Sequence, residues 1–249
     1  MLRFLLAALP RLALFLLALI PVLTGIVVLM SMREGTLNTL TTPADLVRRA
    51  SYPWALTGHI IGGSAMLILG LAQFSPRLRR ACPACHRWAG RVLILLGVYF
   101  ALSALLMNFS DRAMASSALH NGAQNLVSVL FLIALGLGVA AIRRGNVARH
   151  RVWMVRAYAL TLGAATQTVM LLPVFLIGGD VDGLGPDLAF ISAWLINLAL
   201  AEVLLHRRPH KRPLRLMHST IQPGQMTTAD ARVQPGRRRD SVVGAAQAD

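Results

Sequence analysis

Imidazole is the usual axial ligand of a low-spin b-type haem, and four histidines, His59, His86, His120 and His150, stand at the starts of four successive apolar segments. Helix direction alternates from one membrane-crossing segment to the next, so His59 and His120 belong near one face and His86 and His150 near the other. That is the layout needed to hold two stacked haems on facing helices of a four-helix bundle. Small residues would leave room for a flat macrocycle: Gly62 and Gly63 after His59, Gly90 on the same helical face as His86, Gly122 after His120, and Gly163. The competing reading has all four as interfacial histidines, solvated by headgroups or bonded to loop carbonyls. It weighs most on the inner pair, where Arg87 and Arg91 follow His86 and Arg151 follows His150. His59 and His120 have mostly apolar neighbours, where an ionisable side chain is costly and therefore points to function.

Cys82-Pro83-Ala84-Cys85-His86 is a C-x-x-C-H string, the form of a c-type haem attachment site. Its arginine-rich surroundings place it on the inner side, whereas covalent haem is added on the outer one. A zinc site needs four ligands, and Cys82, Cys85 and His86 supply three, with no obvious fourth beyond His150. A cytoplasmic dithiol whose thiolate the arginines favour stays open beside the plainer reading, a loop that happens to contain two cysteines. Gln73, Gln124, Asn125, Gln167 and Asn197 are expected to make interhelical hydrogen bonds, and Glu202 to pair with a loop arginine. Walker loops, nucleophile elbows and His-Glu-x-x-His strings are absent from the sequence, so no residue is assigned a catalytic role.

The elements that carry these residues follow from composition. Of 249 residues 55% are hydrophobic and only 14% charged, and the apolar runs are long enough to cross a hydrocarbon core of about 30 Å. The expected fold is all-α and polytopic, with six transmembrane helices near 10–31, 54–75, 91–109, 119–142, 155–178 and 188–206. Spans two to five form the central four-helix bundle. The first span reads as retained, because its apolar run exceeds a signal-peptide core and no cleavage site follows.

A net charge of +15 would ordinarily raise nucleic acid as a partner. Here the arginines crowd into alternate short loops, which excludes that class and reads as a topology signal facing anionic lipid headgroups. Arg77, Arg79, Arg80, Arg87 and Arg91 mark one such loop, and Arg143, Arg144, Arg149, Arg151 and Arg156 the other. The intervening loops hold Asp111 with Arg112, and Asp180, Asp182 and Asp187 without a basic residue. The positive-inside rule then puts both termini in the cytoplasm. Segment 31–53 is mildly basic against the trend, and Thr42-Pro43-Ala44-Asp45 looks like the start of a short interfacial helix. Residues 1–206 form the membrane domain, and 207–249 a basic tail too poor in apolar residues to fold.

Several strings resemble an uncharacterised bacterial multipass family, domain of unknown function 2306. They are His59 with Gly62-Gly63, Gln73-Phe74-Ser75-Pro76-Arg77-Leu78-Arg79, His86-Arg87-Trp88-Ala89-Gly90-Arg91, Arg143-Arg144-Gly145-Asn146 with His150-Arg151, Trp153-Met154-Val155-Arg156, Tyr158-Ala159-Leu160-Thr161, and Trp194, Asn197 and Glu202. The resemblance covers residues 55–206 and implies a helical protein of the bacterial cytoplasmic membrane without an established activity. Two features depart from that family's pattern: Gln167-Thr168 where members often carry arginine, and the histidine at position 120. In layout alone the chain is similar to the two-haem transmembrane b-type cytochromes, whose ligand pairing would map onto His59 with His120 and His86 with His150.

The sequence favours a haem-free multipass protein, a small transporter or an accessory subunit, because two of the four candidate ligands sit among arginines. The alternative is an electron carrier that binds haem b through His59/His120 and His86/His150. It would exchange electrons with a quinone or another redox partner.

Overall fold

In a bilayer every backbone N–H and C=O must find its partner within the protein, which leaves a continuous apolar segment the choice of a helix. A computed structural model describes residues 2–34, 51–110, 117–177 and 183–206, and the regular structure among them is entirely α-helical. In chain order the helices are α1 (Leu2–Glu34), α2 (Pro53–Gln73), α3 (Pro76–Ala81), α4 (Pro83–Ser110), α5 (Ala118–Arg143), α6 (Val147–Thr161), α7 (Gly163–Leu176) and α8 (Leu184–His206). Six stretches among the described residues are long and apolar enough to cross a membrane. The interfacial helix expected from Thr42, the loop residues Asp111, Arg112, Asp180 and Asp182, and the tail from 207 lie outside the described residues.

Two expected spans change. The third and fifth begin at Pro83 and Val147, about two turns before the apolar runs at 91 and 155. Hydropathy marks only the hydrocarbon slab, whereas capping marks the helix, which runs on into the headgroup zone. Asn146 Oδ1 accepts the Arg149 N–H at 2.9 Å, after Gly145 turns the chain with φ of 71°. The fifth span is also divided at Leu162 into α6 and α7.

Helix α4 packs on α2 and on α5, α5 packs on α6, and α6 closes back onto α2. The four make a ring in which α2 faces α5 across the centre and α4 faces α6. Helix α1 lies against α2 and α7, and α8 against α6 and α7. The ring's core is Met66 from α2, Leu93 and Ala101 from α4, Phe131, Ala134 and Leu135 from α5, and Ala157 and Leu160 from α6. Outward-facing positions stay apolar, as at Leu95, 72% exposed, and Leu204, 66% exposed, which suits lipid tails as the surrounding medium. Helices α2 and α4 approach closely, so that a Cβ on Gly62 would lie 3.1 Å from the Leu96 carbonyl oxygen.

Candidate functional site: histidines at two levels of the helix ring

His59 lies seven positions into α2, where Gly62 and Gly63 let α4 come close. Its Nδ1 is 3.0 Å from the Phe100 carbonyl oxygen and 3.3 Å from Ser103 Oγ, and its ring stacks on Phe100 with centroids 4.3 Å apart. A carbonyl oxygen can only accept, so Nδ1 carries a hydrogen and donates it.

His59 and Phe100 line two cavities, one of about 180 Å³ and one of about 130 Å³. The larger sits inside the ring, with Gln124 and Ser128 of α5, Thr161 of α6 and Gln167 of α7 as its other polar lining. Gln124 Oε1 is buried there without a hydrogen-bond partner. Trp194 of α8 forms part of the same wall and packs where Gly163 has no side chain.

The polar α5 side chains that reach this cavity are therefore Gln124, one turn below His120, and Ser128. Ser117 caps α5 by accepting the His120 N–H at 3.0 Å, which sets His120 in the first turn. Its ring meets Phe190 of α8 edge-on at 4.6 Å, and its Nδ1 lies 3.5 Å from Asp187 Oδ1. Asp187 is 7% exposed and also accepts a hydrogen bond from Ser117 Oγ. A histidine held through Nδ1 by a carboxylate is an arrangement common among ligating histidines.

At the opposite end of the ring, His150 lies in the first turn of α6 and its Nδ1 is 2.8 Å from the Gly138 carbonyl oxygen of α5. By the same argument Nδ1 carries a hydrogen and donates it. His86 lies in the first turn of α4, with a buried Nδ1 that has no hydrogen-bond partner. His150, Arg79 and Arg87 are close enough to act on it electrostatically. Its backbone N–H bonds to the Cys82 carbonyl at 3.1 Å, and Cys82 is disulfide-bonded to Cys85.

The remaining polar residues mostly behave as interhelical contacts. Asn125 accepts from Asn108 at 3.1 Å, Asn197 donates to Thr166 at 3.0 Å, and Gln167 donates to the Phe190 carbonyl at 3.2 Å. Glu202 pairs with a helical arginine, Arg156, through Nε at 2.6 Å and Nη2 at 3.1 Å. Sequence reasoning passed over three contributors. Asp187, Ser103 and Trp194 meet the histidines or their cavity only through tertiary packing; an acidic residue at the start of an apolar span was the one signal available.

The histidines, the two His-Arg strings and the Arg156–Glu202 pair all lie within residues 56–205, which match the family described as a predicted membrane protein, DUF2306. This chain belongs to that family. No curated protein and no solved structure gives a significant match. The DUF2306 match covers α2 through nearly all of α8, so the ring and both histidine levels fall inside it, and α1 falls outside. Among the described residues no cluster of three or more His, Cys, Asp or Glu is arranged to hold a bare metal ion.

Proposed function

We propose that this chain is a membrane electron carrier, with His59 and His120 as ligands of one b-type haem and His86 and His150 as ligands of another. The observation that carries the reading is the anchoring of Nδ1 by backbone carbonyls at both levels, Phe100 for His59 and Gly138 for His150, which orients each ring so that in its neutral form Nε2 is the nitrogen able to ligate iron. Each pair also comes from helices that face each other across the ring; His120 itself packs on Phe190 of α8, so sharing a haem with His59 requires its ring to turn inward past Gln124. Haem bound there supplies a one-electron couple within the hydrocarbon.

The chain's own residues orient the donors and shape the field around them. Asp187 and Ser117 hold His120, while Phe100 and Ser103 fix the His59 ring. Arg79, Arg87 and Arg151 offer positive charge that would neutralise propionates or attract an anionic donor. Alternating basic loops support a bacterial cytoplasmic membrane with the His86/His150 end and both termini inside, and a quinol or a soluble reductant as electron partner.

A haem-free transporter or accessory subunit is the second reading, favoured by volume. Neither cavity at His59 reaches the roughly 300 Å³ at which cofactor-sized pockets begin. The two share His59, Phe100, Thr161 and Ala164 in their linings. A visible spectrum of the dithionite-reduced full chain from haem-replete cells separates the readings. The carrier gives a Soret band, and His59→Ala and His120→Ala each remove the same component while His86→Ala spares it. No Soret absorption leaves the haem-free reading standing.

A further inference from the structure

We infer that Cys82 and Cys85 form a thiol–disulfide exchange centre whose reductant is a dithiol, a role independent of haem binding. The two residues are the chain's only cysteines, they are bonded to each other, and their Cα atoms are 5.2 Å apart. A bridge between residues three apart closes so short a loop that it constrains the unfolded chain little, so stabilisation is a poor account of it. Its surroundings fit exchange chemistry better.

Cys82 immediately precedes Pro83, the first residue of the 28-residue helix α4. Its Sγ sits at the positive end of that helix and accepts the Cys85 N–H at 3.2 Å. Both features make Cys82 Sγ the sulfur placed to take up the electron pair as the bond to Cys85 breaks. Arg79 and Arg80 end α3, which packs against α4, and Arg87 follows on α4 itself. No aspartate or glutamate occurs between Asp45 and Asp111 to offset that charge. Cys85 is exposed and Cys82 only partly so, which makes Cys85 the sulfur open to attack.

The step balances as follows. A thiolate of the reductant attacks Cys85 Sγ, the bond to Cys82 Sγ breaks, and Cys82 departs as the stabilised thiolate. The reductant's second thiolate then attacks its own sulfur in the mixed disulfide and releases Cys85. Two electrons reach the protein, and the dithiol leaves as its cyclic disulfide. Any protons the protein's released sulfurs take up come from solvent, which received those the dithiol lost on ionising.

The test uses the full chain in detergent micelles without denaturant, equilibrated with graded ratios of reduced and oxidised dithiothreitol and read by intact mass after alkylation. The disulfide and dithiol forms are expected to interconvert in one two-electron step. Iodoacetamide should label neither cysteine of the folded chain before reduction and both after it. The double serine variant should keep the wild-type elution profile. A bridge that yields to dithiothreitol only on unfolding, a pair that fails to re-oxidise in the folded chain, or iodoacetamide labelling of the folded chain before reduction would overturn the assignment.

Discussion

Replacing Gly163 by alanine tests the packing around the larger cavity. Gly163 opens α7 directly after the break at Leu162, and a Cβ there would overlap Cδ1 and Nε1 of Trp194 and lie 3.2 Å from its Cε2. Overpacking of this kind costs about 1–3 kcal/mol. Trp194 is half-buried and can yield somewhat, which favours the lower part of that range. Loss of a flexible glycine from a helix returns about 0.5–1 kcal/mol. The net expectation is a destabilisation of about 1 kcal/mol. Gly136→Ala is the matched control, because nothing lies within 4 Å of a Cβ at that exposed position. It should gain about 0.5–1 kcal/mol, so the two variants should differ by about 1.5–2 kcal/mol, or more than tenfold in the unfolding equilibrium constant. Equilibrium unfolding of the full chain in mixed micelles, followed by helicity, measures both. Equal stabilisation by the two alanines would refute the close packing of α7 on Trp194.

Three further outcomes are expected. In a double-mutant cycle on the bidentate pair, Arg156→Gln and Glu202→Gln should each cost about 1–2 kcal/mol, with a coupling of about 1 kcal/mol because each leaves the other charge short of a partner. Additive losses would mean the pair contributes nothing of its own. In intact cells treated with an impermeant reductant, an impermeant maleimide should leave Cys82 and Cys85 unlabelled; labelling from outside would invert the orientation drawn from the arginines. Asp187→Asn should change the His120 contacts without touching those of His59, so in a haem-loaded preparation it should shift the spectral component lost in His120→Ala and leave the other in place.

Much of this molecule was legible in one dimension because the bilayer imposes a length scale on apolar runs. The six spans, their order and the absence of strands among the described residues follow from that constraint. The starts of α4 and α6 were less legible, since arginine-rich first turns lower the hydropathy of segments that are nonetheless helical. Those earlier starts put His86 and His150 within the first turns of α4 and α6, ahead of the most apolar stretch of each span. Polar residues such as Asn125 and Asn197 could be recognised as interhelical contacts, but their partners, Asn108 and Thr166, could not be named.

Sequence by itself determined that four histidines lie on four successive helices and alternate in side, because helix direction must reverse at each crossing. Only tertiary structure decided what each imidazole meets. Helix rotation and the order of the ring turn His59 onto α4, His120 onto α8 and His150 onto α5, and put Gln124 rather than His120 at the His59 cavity. Those rotations are set by contacts such as Gly62 against α4 and Trp194 beside Gly163, between residues far apart in the chain. Periodicity along a single helix carries no record of them.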